Sequence, residues 1–105
     1  MIPVYNEEEN IAVLYDRLLC ALEGANIDFE IVFVDDGSCD RSIPKLNEMA
    51  ASDKRVTVIE LARNFGHQVA MTAGLDFACG KAVAVMDADL QDPPEALPEF
   101  VAKWR

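Results

Sequence analysis

Basic side chains are scarce in this sequence: 9 Lys and Arg stand against 19 Asp and Glu in 105 residues, a formal net charge of −10. Nucleic-acid binders hold phosphate backbones with clustered Lys and Arg, so that class is excluded. A phosphorylated small ligand would need a cation, or a local exception to the field, to bind at all. Cysteine is sparse as well. Cys20, Cys39 and Cys79 form an odd set without the close spacing of zinc sites, which fits reduced thiols and a cytosolic environment. No apolar run approaches the roughly 18 residues of a membrane span, and no basic segment followed by an apolar stretch opens the chain. Membrane association is therefore expected only through the surface or from outside this chain. Repeats, low-complexity stretches and linkers are also missing, so the chain is one domain or a piece of one.

What is there is a 51% hydrophobic composition arranged as short continuous runs alternating with helical spacing, the pattern of strand and helix units with a parallel sheet. The opening run includes Ile2, Pro3 and Val4. A helix is expected from about Glu7 to Glu23, capped by Asn6 with Glu9 three residues on, with Ile11, Leu14, Leu18 and Leu22 on one face. Phe29 to Val34 reads as a strand buried on both sides. A second helix carries Ile43, Leu46 and Met49, with Pro44 in its first turn. Val56 to Leu61 is the third strand, and a third helix runs from about Gln68 to Ala78 with Gly80 as a left-handed cap. Ala82 to Met86 is the fourth strand. The last helix starts near Pro94 and turns Leu97, Phe100, Val101 and Trp104 to the core. The first run is short for a strand, so residues are expected to be missing before Met1, and a cut is also expected after Arg105.

Four such units with right-handed crossovers bring all helix-entry loops to the carboxyl edge of the sheet, where open α/β folds bind ligands. Those loops carry Tyr5, Asn6 and Glu7; Asp35 and Asp36; Arg63, Asn64 and His67; and Asp87, Asp89 and Gln91. Asp87 and Asp89, one residue apart at a strand end, look like half of a divalent-cation site, and Gln91 and Asp92 add oxygen donors. A cation held by two carboxylates keeps positions free for water and for ligand phosphates.

Each cluster has a plainer reading. Asp87 and Asp89, like Asp35 and Asp36, could simply cap the helix that follows; Tyr5 could be an ordinary surface ring; His67 could be structural. The functional alternative for Asp35 and Asp36 is that one accepts hydrogen bonds from a nucleobase or ribose while the other orients the loop. Arg63, Asn64 and His67 lie where a helix N-terminus would receive an anion. A calcium loop of the EF-hand type is excluded because, counting from Asp87, Asp92 stands at the glycine position and Pro98 at the glutamate position. The haloacid-dehalogenase phosphatase motif is matched only in part, since Gln91 stands where Thr or Val is expected.

Five segments together resemble family 2 glycosyltransferases: Pro3-Val-Tyr-Asn-Glu7, Val34-Asp-Asp-Gly-Ser38, Ala62-Arg-Asn-Phe-Gly-His-Gln68, Ala73-Gly-Leu-Asp76 and Met86-Asp-Ala-Asp-Leu-Gln-Asp-Pro-Pro-Glu95. The nearest likeness is to the polyprenol-phosphate hexosyltransferases, the dolichol-phosphate mannosyltransferase and bactoprenol glucosyltransferase group. The resemblance covers essentially all 105 residues in order.

It implies a GT-A fold, a Rossmann-like open parallel sheet with helices on both faces, here about four strand-helix units. Residues 1–105 would be the nucleotide-sugar-binding part, incomplete at both ends. The implied activity is inverting transfer of a hexose from a UDP- or GDP-sugar to a polyprenol phosphate on the cytoplasmic side of a membrane, the fragment itself being soluble. Pro3, Tyr5, Glu7, Asp35, Asp36, Asp87, Ala88 and Asp89 would contact the nucleotide sugar. Asp87, Asp89 and Gln91 would hold Mg²⁺ or Mn²⁺, with Asp89 the catalytic residue and no general base named. Cys39 and Lys81 depart from the usual Thr and Asp. Two other classes are kept open: a receiver-like phosphoacceptor domain, and an inactive fragment that at most binds nucleotide.

Overall fold

The computed structural model describes residues 1–91 and 93–105; Asp92, expected as an oxygen donor, lies outside the described residues. Three strands form a parallel sheet in the order β1-β2-β3: β1 Ile2–Val4, β2 Ile31–Asp35 and β3 Val56–Glu60. Ile2 pairs with Phe33 on one side of β2, and Phe33 pairs with Val58 on the other. The central strand is buried along its whole length, as its continuous apolar run predicts. Successive side chains alternate between two cores. Ile31 and Phe33 join the cluster under α1 (Ile11–Gly24) and α2 (Ser42–Ser52), whereas Val32 and Val34 meet Ala70 of α3 (His67–Phe77) on the opposite face.

Helix α1 seats the expected stripe, with Ile11, Leu14, Leu18 and Leu22 all buried. Its start differs from expectation. Asn6 sits at φ 52°, and its side chain makes no cap; the helix begins at Ile11, with Glu7 O accepting the Asn10 and Ile11 amides. Asn is among the few residues that tolerate this left-handed conformation. Helix α3 ends at Phe77 because Ala78 turns extended (ψ 133°) and Glu30 Oε1 accepts the Cys79 amide at 2.7 Å, so Gly80 is not a left-handed cap.

The expected fourth strand is the larger correction. Ala82 to Met86 forms no strand and belongs to no sheet ladder, and Val83 and Val85 remain 42% and 41% exposed. Among the described residues its ladder-like bonds are to Met1, whose amine donates to Ala84 O (2.8 Å) and whose carbonyl accepts the Met86 amide (3.1 Å). Pro3, two residues on from Met1, has no N–H to donate, and pairing stops after those two bonds. The direction of travel is nevertheless clear. The chain moves outward from β1 to β3, then returns across α3 to the far side of β1, reversing there. The last segment, a 3₁₀ turn at Pro94–Ala96 and α4 (Leu97–Trp104), packs against α1. Leu97 reaches the core, but Phe100 and Trp104 stay 61% and 54% exposed, contrary to expectation.

The edge of the sheet remote from the helix-entry loops is locked by an ionic cluster. Asp53 accepts from the Tyr15 hydroxyl (2.7 Å) and from the Arg55 guanidinium (3.0 Å), which also reaches Glu23 and lies 4.6 Å from the Phe29 ring centroid. The Arg55 guanidinium, helped by the Tyr15 hydroxyl, holds the Asp53 carboxyl well below the usual carboxylate range. Burial, then the bond to Asp53, pushes the Tyr15 phenol up to about 12.

Candidate functional site

At the reversal point, outside the ends of β1 and the 82–86 segment, lies a cleft of about 390 Å³. Its walls are Pro3, Val4, Tyr5, Glu7, Asp36, Asn64, Gly66, His67, Asp87, Ala88 and Asp89. Ligands of open α/β sheets bind at such a reversal, and the volume lies within the roughly 300–1,000 Å³ of small-molecule sites. A larger cleft of about 490 Å³ lies at the opposite sheet edge, between α1, α4 and residues 78–86; its walls are mainly apolar, and its charged lining residues are of both signs, Asp28 and Glu30 with Lys81 and Arg105.

Of the residues expected at a nucleotide sugar, Pro3, Tyr5, Glu7, Asp36, Asp87, Ala88 and Asp89 are in this one wall, brought from three separate loops. Asp35 is not; it is fully buried behind the loop, where Oδ2 accepts the Ser38 amide at 3.0 Å and Oδ1 has no partner among the described residues. Asp36 faces the cleft and also ties two loops together, its oxygens accepting the Phe65 (2.8 Å) and Gly66 (3.1 Å) amides. The two neighbouring aspartates thus have different surroundings. Gln91 stands exposed beyond the wall, its amide donating to Asp89 Oδ1 at 3.1 Å. That bond and a left-handed Leu90 (φ 66°) shape the turn that presents Asp89.

Charge in the wall is one-sided: Glu7, Asp36, Asp87 and Asp89 are acidic, and no Lys or Arg is among the lining residues. Two features temper it. The first turn of α3, whose leading N–H groups have no partner within the helix, borders the cleft at Gly66 and His67. His67 Nε2 lies 3.9 Å from Asp87 Oδ1, both side chains about half exposed, and carries charge there only when protonated. Arg63 does not enter the cleft; its guanidinium stacks 4.7 Å from the Phe65 ring centroid. Asn64, expected beside a bound anion, is in the wall; Val4 and Gly66 are lining residues that the sequence does not single out, although Gly66 belongs to a segment expected nearby. The place of Asn64 and Gly66 depends on the Asp36 bridge, which sequence spacing does not reveal.

Among the described residues no three His, Cys, Asp or Glu side chains cluster closely enough for an all-protein metal cage. Asp87 and Asp89 instead offer hard oxygen donors in an open wall. That is the donor chemistry Mg²⁺ and Mn²⁺ use when phosphates and waters complete their shell.

Fold and cleft together define an α/β domain with an acidic cleft at its strand reversal. The glycosyl transferase family 2 profile matches residues 1–105, and the chain belongs to that family. It is 50% identical over its whole length to an uncharacterised glycosyltransferase of Bacillus subtilis (strain 168), covering 32% of that protein. It is 42% identical over 105 residues to a prophage bactoprenol glucosyl transferase homolog of Escherichia coli (strain K12), covering 34% of it. It is 46% identical over 102 residues to an undecaprenyl-phosphate 4-deoxy-4-formamido-L-arabinose transferase of Pectobacterium carotovorum (strain PC1), covering 31%. The crystal structure of Staphylococcus aureus TarS residues 1–349 superposes with a TM-score of 0.79 at 27% identity, over 96% of this chain and 30% of that one. A TarS structure in complex with UDP gives 0.70 at 29% identity, over 97% of this chain and 30% of that one. The fold is GT-A. The chain spans about a third of the length of the curated relatives it matches. Family membership sets aside the receiver-domain alternative.

Proposed function

We propose that this chain is the donor-binding part of a glycosyltransferase that moves a hexose, with inversion, from a nucleotide diphosphate sugar to a polyprenol phosphate. The observation that carries the proposal is the gathering of Tyr5, Glu7, Asp36, Asp87 and Asp89 around one cleft at the strand reversal. The relatives named for bactoprenol and undecaprenyl phosphate support the acceptor, and the UDP complex of TarS supports a nucleotide donor.

In this reading Pro3, Tyr5, Glu7 and Asp36 receive the nucleoside, Tyr5 offering a ring face and Asp36 its remaining lone pairs. Asp35 is assigned to the same subsite from behind, by fixing the Ser38 end of the loop. Ala88 lets the donor approach the backbone between Asp87 and Asp89. A diphosphate cannot enter a wall of four carboxylates unaided, so Mg²⁺ or Mn²⁺ is the required cofactor, held by Asp87 and Asp89. Gln91 joins them only if the Asp89 turn adjusts. When bound, the cation supplies charge compensation for the departing diphosphate. Asp89 is the residue assigned to the reacting end. A phosphomonoester acceptor, with a second pKa near 6, is already mostly dianionic at pH 7 and requires no base from this chain. No helix among the described residues is long and apolar enough to cross a membrane, so the acceptor is met at a membrane surface or through other parts of the protein.

Calorimetric titration with UDP and GDP, with and without MnCl₂, tests the reading. Metal-dependent binding that is lost in Asp89→Ala, with the melting temperature retained, is expected. If neither nucleotide binds under either condition, the reading is wrong.

A further inference from the structure

The segment that carries Tyr5 and Glu7 has no ladder of its own. Strand β1 ends at Val4 and α1 begins at Ile11, yet the amides of residues 6, 7 and 8 all find partners. Each donates to a side chain of the β2–α2 loop or of the first residue of α2: Asn6 N to Ser38 Oγ (2.9 Å), Glu7 N to Ser42 Oγ (3.0 Å) and Glu8 N to Asp40 Oδ2 (3.2 Å). Two bonds run the other way, from the Cys39 amide to Asn6 Oδ1 (2.7 Å) and from Lys45 Nζ to Glu8 O (2.6 Å). Ser42 is fully buried, and Asp40 is anchored in turn by the Ser42 amide at 2.9 Å. The Glu7 and Glu8 amides are part-buried, where a lost acceptor is costly, and the Asn6 amide is exposed; this comb of alternate side chains restrains where residues 5 to 8 sit.

From this we infer that Ser38, Asp40 and Ser42 are positioning residues of the donor site: without touching the ligand, they hold Tyr5 and Glu7 in the cleft wall. The inference rests on the donor reading above. The same loop begins with Asp36, which grips Phe65 and Gly66, so three walls of the cleft are joined before any ligand arrives. A site already ordered in this way loses less freedom on binding, and its affinity falls when the order is removed. An ordinary structural contact would behave otherwise, lowering stability without a selective effect on affinity.

The test compares Ser38→Ala, Ser42→Ala and the hydroxyl-retaining Ser38→Thr with Tyr15→Phe, which removes the bond to Asp53 at the opposite sheet edge and serves as the control for lost stability. UDP and GDP affinities with MnCl₂, melting temperatures and amide exchange at residues 6–8 are read for each. The alanine variants are expected to weaken nucleotide binding about tenfold, equivalent to about 1.4 kcal/mol. They are also expected to lose protection selectively at residues 6–8, while Ser38→Thr restores both and Tyr15→Phe leaves affinity unchanged. If wild-type protein binds a nucleotide and the alanine variants bind it equally, the positioning role is overturned while the donor reading stands. A loss of affinity in Tyr15→Phe equal to that of the alanine variants overturns it too. If wild-type protein binds neither nucleotide, the donor reading fails and takes the positioning role with it.

Discussion

Gly37 packs directly on the backbone of Arg63 and Asn64, and Gly37→Ala exposes how the two loops are spaced. A Cβ there would stand 2.5 Å from the Arg63 carbonyl carbon and closer still to Asn64 N, both backbone atoms that no rotamer change can remove. The residue also has φ +75°, where an L side chain is strained. The left-handed conformation costs about 1–2 kcal/mol, and forcing apart a packed contact costs about 1–3 kcal/mol. Together they come to about 2–5 kcal/mol, a large share of the roughly 5–15 kcal/mol that holds a domain of this size. With a urea dependence of about 2 kcal/mol per molar, the unfolding midpoint falls by about 1–2.5 M. Gly66→Ala has no such contact: nothing lies within 4 Å of the added methyl, but φ +103° with ψ 160° is a region open essentially to glycine only, so a conformational cost of about 1–3 kcal/mol remains. Gly24→Ala, at the end of α1 with open space around it, is expected to be neutral or stabilising by up to about 1 kcal/mol. Urea denaturation followed by circular dichroism gives the three midpoints. If the Gly37→Ala midpoint falls by less than about 1 M, the close approach of the two loops is refuted.

Two further outcomes test the interior. The Asp53 carboxyl is held below its unfolded pKa of about 3.9, so its contribution is fully present above that pH and drains away as pH falls toward the folded value. Urea midpoints measured from pH 7 to pH 3 should therefore decline more steeply in wild type than in Asp53→Asn, which starts lower at pH 7; parallel curves would contradict the assignment. Phe33→Ala, in the fully buried centre of β2, should cost about 3–5 kcal/mol, whereas Val85→Ala, 41% exposed, should stay within about 0.5 kcal/mol. Equal losses would restore Val85 to a buried strand.

The amino-acid order alone determined the local physics. Ile11, Leu14, Leu18 and Leu22 can share a buried face only on a helix, and the unbroken run from Ile31 to Val34 suits only a strand covered on both sides. Segments such as Val34 to Ser38 and Met86 to Gln91 likewise sufficed to place the chain in its family, because their chemistry is carried by residue type and spacing. Burial of Phe100, Trp104 and Val83 was misjudged from periodicity, since an apolar stripe says that a face can be covered and not that a partner covers it. Tertiary structure decided the rest. Asn6, which spacing marked as a helix cap, became a loop-to-loop acceptor because Cys39, 33 positions away, brings its amide to it. Asp35 and Asp36 are adjacent and chemically alike, yet the alternation of a strand end sends one behind the loop and the other to the cleft. Long-range hydrogen bonds, and the reversal of the chain beside β1, are properties of three-dimensional approach that no linear spacing encodes.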